Sequence, residues 1–147
     1  LTVFARLAGL DGVAKMSKSL GNTILLSDNS EIVKQKMRKA VTDPQKLRKN
    51  DPGHPEVCVV FSYHKKFNPA EVEVIDTDCR SGALGCVDCK LNCSSKISTF
   101  LEPVLQKRSE LENNLSLVLD VISEGEKAAR LTAGATMQEV RTNMKMG

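Results

Sequence analysis

From Asp88 almost to its last residue the sequence places apolar side chains at three- and four-residue intervals. That is the spacing of a helix that buries one face. A stretch of this kind is stable only when helices pack against other helices. Composition points the same way. Aromatic residues make up 3% of the 147 positions and tryptophan is absent, so Leu, Val, Ile, Ala and Met must build the core. The expected fold is mostly α, a helical bundle.

Upstream the pattern is more broken. Residues 2–8 are short and mixed and read as a strand. Gly9, Gly12 and Gly21 surround a polar, lysine-bearing centre, which reads as a loop with flexible ends. Residues 23–26 fit a brief extended piece. Asp28 with Glu31 three positions later fits a capping box, followed by Ile32, Val33, Lys36, Met37 and Ala40 on one helical face. That helix should stop near Thr42, because Pro44 disfavours helix at Asp43. Pro44, Pro52, Gly53 and Pro55 mark a loop. Pro55 should open a helix lined on one side by Val57, Val60, Phe61 and His64. Asn68-Pro69 should open another, running to about Asp78, with a Gly-containing turn over 81–85. Pro103, Gly125 and Gly134 are expected to divide the remainder into three or four helices. Leu111, Leu115, Val118, Leu119 and Ile122 form the clearest amphipathic stripe and are expected to pack in the core.

The net charge of +3 is too small to force a nucleic-acid reading, but its distribution is uneven. Residues 1–55 hold ten Lys/Arg and five Asp/Glu, whereas residues 56–147 hold eleven and thirteen. A positive N-terminal portion suits phosphate groups or is a solvated helix face. No apolar run approaches the roughly 20 residues that span a bilayer. No basic-then-apolar signal segment opens the chain either, so the cytoplasm is the expected location.

Two constellations carry chemistry. The first is Lys15-Met16-Ser17-Lys18-Ser19, two lysines three apart with small hydroxyls between them on a glycine-flanked loop. Such a loop can close over a polyphosphate, each lysine bringing a mobile charge and three donors. The second is a set of five cysteines at 58, 79, 86, 89 and 93. An odd count argues against a disulfide scaffold. Cys86 and Cys89 can clamp one centre from a turn, and two further thiolates would complete four sulfur ligands. Four thiolates suit a [4Fe–4S] cluster or zinc. Buried free thiols packing as small hydrophobes are the other reading.

Gly9-Leu10-Asp11-Gly12, the lysine motif, Leu20-Gly21-Asn22 and Ile24-Leu25-Leu26 together resemble the signature loop of class I aminoacyl-tRNA synthetases. Within that class they resemble the tryptophanyl-tRNA synthetase family. Thr42-Asp43-Pro44, Asp51-Pro52-Gly53-His54-Pro55, Leu101-Glu102-Pro103 and Gly125-Glu126-Lys127-Ala128-Ala129-Arg130 extend the likeness. The resemblance implies ATP-dependent activation of tryptophan, ATP acting with Mg2+, and transfer of tryptophan to tRNA. It gives Lys15 and Lys18 the catalytic role of facing the departing pyrophosphate. Met16, Ser17 and Ser19 would bind ATP. Some bacterial members resemble this chain in the six-then-two cysteine spacing, and there the cysteines hold a [4Fe–4S] cluster. Cys58, Cys79, Cys86 and Cys89 are the implied ligands, with Cys93 as substitute for Cys58 and zinc as the alternative metal.

The resemblance also implies a partition. Residues 1–26 would end an α/β nucleotide-binding catalytic domain, and 27–147 would form a helical anticodon-binding domain. Lys90, Lys96, Lys107, Arg108 and Arg130 are candidate tRNA contacts, or else solvated helix charges. The family's HIGH-type motif and amino-acid pocket have no counterpart here, and His54 and His64 stand in other contexts. The chain is therefore expected to be the C-terminal half of a synthetase, homodimeric at full length and inactive alone. The competing expectation is a stand-alone RNA-binding helical module with a metal site.

Overall fold

In the computed structural model, residues 7–146 are described. The strand expected over 2–8 lies almost wholly outside them. Five helices follow a looped N-terminal segment: α1 (Ser30–Lys39), α2 (Val59–Phe67), α3 (Val72–Ser81), α4 (Cys86–Glu112) and α5 (Leu115–Asn143). The mostly helical expectation is met. Among the described residues the β pairing is one isolated antiparallel bridge, Ala8 to Lys15, and residues 23–26 join no ladder.

The chain forms two compact units, residues 1–105 and 106–147, with the boundary inside α4. In the first, Val33 and Met37 of α1, Val60 and Tyr63 of α2, and Cys93, Ile97 and Leu101 of α4 meet in one apolar cluster. Each contributes at three- or four-residue spacing, so one stripe of each helix faces inward. Leu10 enters the same cluster from the loop. The Tyr63 hydroxyl donates to the Ala8 carbonyl, which ties the loop to α2. α3 packs against α2 and buries Ile75.

Helix starts differ from expectation in chemistry. The cap of α1 is Asn29, whose side chain accepts from Ile32 N at 2.9 Å. Asp28 sits one residue too early for that. Its carboxylate takes Leu25 N at 2.8 Å and pairs with Lys36 instead. The helix then ends at Lys39, three residues before Thr42. Pro55 and Pro69 each open a single 3-10 turn, and the α-helices start only at Val59 and Val72.

Pro103 does not end a helix. It lies inside α4, on an exposed face where water can take the Thr99 carbonyl that loses its amide partner. The break comes at Asn113-Asn114, where the Asn114 side chain caps α5 by accepting from Leu117 N. Gly125 and Gly134 likewise sit within α5. The stripe expected in the core is not buried: Leu115 is 69% exposed, Leu119 66% and Ile122 60%. No residue of α5 is buried. The periodicity made an amphipathic helix, but nothing among the described residues covers its apolar side.

Burial therefore separates two isochemical tests. Ile97→Ala should cost about 2–5 kcal/mol of unfolding free energy in this chain. Leu119→Ala should change it by no more than about 0.5 kcal/mol. Denaturant unfolding monitored by circular dichroism measures both.

Candidate functional site: a lysine loop and a thiol cavity

The lysine loop is pinned at its base by one side chain. Asn22 is 5% exposed. Its Oδ1 accepts Ser17 N at 2.8 Å, and its Nδ2 donates to Asp11 Oδ2 at 2.7 Å and to the Lys15 carbonyl at 3.2 Å. Its own carbonyl accepts Leu10 N at 2.9 Å. The Asn22 amide, with help from Val13 N, holds the Asp11 carboxyl below the ordinary carboxylate range. Gly9 makes this packing possible: a Cβ there would stand 2.1 Å from Asn22 Nδ2.

Beyond that base the loop is open. Ser17 and Ser19 share a hydroxyl–hydroxyl hydrogen bond at 2.8 Å, and residues 18–20 make one 3-10 turn. Lys15, Lys18 and Ser19 are exposed, whereas Met16 packs its side chain on the core cluster. Neither Lys15 nor Lys18 makes an ion pair among the described residues. Two mobile cations thus project from a braced base.

The other basic candidates are engaged. Lys96 pairs with Glu71, Lys107 with Glu110, Arg108 with Glu112 and Arg130 with Glu126, all within 3.0 Å. Lys90 donates to the Arg38 carbonyl. They occupy the positions of solvated helix charges.

The second constellation is a small cavity. Its lining includes Cys58, Cys79, Cys86 and Cys89, with Asp43, Lys46 and Leu84. Three separate pieces of chain bring the four thiols there. Cys58 stands at the N-cap position of α2, without a side-chain cap hydrogen bond. Cys79 ends α3, where its carbonyl accepts Gly53 N at 2.8 Å. Cys86 and Cys89 lie three apart at the start of α4, on one face. Cys93, one turn on, is buried in the apolar cluster and does not line the cavity.

The loop after α1 closes this cavity. Asp43 is buried, and its carboxylate accepts Gln45 N, His54 N and the His54 ring, each at 2.8 Å. Burial pushes the Asp43 carboxyl up, but those hydrogen bonds and the His54 charge hold it below its ordinary value. Lys46 donates to the Asp51 carbonyl and lies beside Cys79. Gly53 crosses Cys79 so closely that a Cβ would stand 2.5 Å from the sulfur.

Burial raises the thiols of Cys58, Cys79 and Cys89, the last to about 12, so without a metal they are neutral. A metal would have to displace their protons. Among the described residues no group of three or more His, Cys, Asp or Glu side chains is drawn close enough to hold a single metal ion. The four thiols that line this one cavity are, by residue type, the donor set that a thiolate-bound cluster uses.

A polar network backs the cavity. Buried His64 stands 3.4 Å through Nε2 from Cys89 Sγ, and burial lowers its pKa below the ordinary imidazole value. Asn68 links it to Glu71, which also accepts from Asn92 at 2.8 Å and Lys96 at 2.7 Å. Sequence reasoning gave Asn22, Asp43, Lys46, Gly53 and His64 no role. Only the clustering of Asp43, Gly53 and His54 in quoted turns signalled them.

A family model for "tRNA synthetases class I (W and Y)" matches residues 2–102. The chain belongs to this family of class I tRNA synthetases. Its curated relatives are named more narrowly. The tryptophan–tRNA ligase of Aquifex aeolicus is 47% identical over 99% of this chain and 37% of the relative. That of Deinococcus radiodurans is 40% identical over 92% of this chain and 42% of the relative. The chain thus spans about two fifths of the length of these proteins. Among solved structures, tryptophanyl-tRNA synthetase from Campylobacter jejuni, complexed with ADP and tryptophan, superposes with a TM-score of 0.85. That match is 25% identical and covers 99% of this chain and 45% of the other.

The Glu71 network gives a pH dependence. Hydrogen bonds from Lys96, then Asn68 and Asn92, lower the Glu71 carboxyl from 4.5 to about 2. Between those values the unfolded glutamate binds a proton that the folded one does not, so stability falls as pH drops through that window. Glu71→Gln should flatten this part of the profile. Thermal unfolding midpoints of parent and variant across the same acidic range check it.

Proposed function

We propose that this chain supplies the C-terminal part of a tryptophan–tRNA ligase. In that reaction the tryptophan carboxylate attacks the α-phosphate of ATP, pyrophosphate leaves, and the adenylate acylates tRNA. Residues 1–26 are the end of the catalytic domain and carry its KMSKS-type loop. Residues 27–147 are the helical part that meets the anticodon. The observation that carries the reading is the pair of exposed, unpaired ammonium groups of Lys15 and Lys18 on a loop braced by Asn22.

Negative charge accumulates on pyrophosphate as the Pα–O bond breaks. Fixed cations facing that charge stabilise the transition state more than the ground state. Lys15 and Lys18 provide them, with Mg2+ on the phosphates. Met16 contributes its backbone to the adenine side, its side chain anchored in the core. Ser17 and Ser19, bonded to each other, shape the turn that presents Lys18. The full-length protein is a homodimer in this reading. Lys18→Ala in the full-length enzyme should leave ATP binding nearly unchanged and slow adenylate formation about 10²–10³-fold. ATP–pyrophosphate exchange reads this, and an unaltered exchange rate would reject the assigned role.

Cys58, Cys79, Cys86 and Cys89 hold a [4Fe–4S] cluster in this proposal. The cavity that all four line supports the reading. The cluster supplies a covalent cross-link between α2, α3, α4 and their connecting loops. The residues around it shape the site: Asp43 and Gly53 fix the loop, and Lys46 brings positive charge toward a dianionic group. Anaerobically prepared protein should be brown and contain roughly four iron and four sulfide per chain. Colourless protein with bound zinc would overturn the cluster.

A further inference from the structure

His64 is fully buried, and none of the chemistry above uses it. Its Nε2 lies 3.4 Å from Cys89 Sγ and 3.2 Å from the Cys89 carbonyl oxygen. Its Nδ1 lies 3.3 Å from Asn68 Nδ2. The position of the ring hydrogen follows by elimination. Glu71, ion-paired with Lys96, is an acceptor, so the Asn68 atom 3.0 Å from its Oε2 must be the amide nitrogen. The same nitrogen then turns its other hydrogen to His64 Nδ1, which must be the bare, accepting atom. The ring hydrogen sits on Nε2 and faces Cys89.

We propose that His64 is a positioning residue for the Cys89 sulfur: it donates Nε2–H to that sulfur, in a tautomer fixed by Asn68 and Glu71, and so tunes the cluster that the cysteines hold. The inference rests on the cluster reading above. In the free thiol the hydrogen is shared between sulfur and carbonyl. A thiolate bound to iron is the stronger acceptor and takes it. Such a bond withdraws electron density from the ligand sulfur and favours the more negative, reduced cluster. The donor therefore raises the reduction potential.

Nitrogen-15 NMR of the metal-free chain reads the tautomer directly. The Nε2–H form is expected, and an Nδ1–H form overturns the assignment. The second measurement is a redox titration with dithionite, followed by absorbance, on the full-length chain reconstituted anaerobically with ferrous iron and sulfide. His64→Phe keeps a ring but has no donor, and should shift the potential to more negative values at unchanged iron content. His64→Gln, whose amide can reach the sulfur, should recover part of the shift. Asn68→Asp sets a carboxylate against Nδ1, draws the hydrogen there and should lower the potential with the imidazole intact. Equal potentials in parent and variants of equal iron content overturn the proposal. If His64→Phe does not fold, the Asn68→Asp comparison decides. If the parent binds no iron, the cluster reading fails and the proposed tuning with it, while the NMR still decides the ring assignment.

Discussion

A single buried carboxylate organises the cavity side of the molecule. Asp43 accepts three hydrogen bonds, two of them from His54, and it lines the thiol cavity. An ionised group at that depth is tolerated only because its lone pairs are filled by fixed donors. Those donors come from both ends of the loop between α1 and α2, so the carboxylate draws the loop shut. Gly53 is thereby laid across Cys79, and Cys58 is set at the mouth of α2. The convergence of thiols follows from this closure.

The two candidate regions use charge in opposite ways. Along α4 and α5 Lys96, Lys107, Arg108, Lys127 and Arg130 are each matched within hydrogen-bond distance by a carboxylate. Such groups have little field left for a polyanion. On the lysine loop the polar bonds are spent on backbone and on Asn22, and the ammonium groups are left over. A family member that must discharge a phosphate gains from that division.

The helical class, helix starts within a few residues of Pro55 and Pro69, the turn after α3, and the two chemical motifs were legible in the sequence. Those rest on period and on residue type, which are local. It misled where competition between neighbours decides. Asp28 and Asn29 are both good caps, and the register that lets Asn29 reach Ile32 wins while Asp28 finds Lys36. Pro103 and the glycines of α5 carry breaking propensity, about 3 kcal/mol for proline and about 1 kcal/mol for each glycine, yet the long helices run through all three. The Leu115-to-Ile122 stripe shows that periodicity predicts a face without naming what covers it. Of the site, the cysteines were readable from spacing. Asn22, Asp43 and His64 were not, because their partners lie up to 25 residues away and only the fold brings them close.

The bracing of the lysine loop limits how it can travel. Asn22 fastens the backbone at positions 15 and 17 and the carboxylate of Asp11 to one another. The base of the loop therefore moves as one piece, while the exposed Lys15 and Lys18 side chains beyond it keep their own freedom. The Leu10 carbonyl takes Val41 N just after α1, and the Ala8 carbonyl takes the Tyr63 hydroxyl in the middle of α2. A displacement of that base is therefore handed to both helices at once.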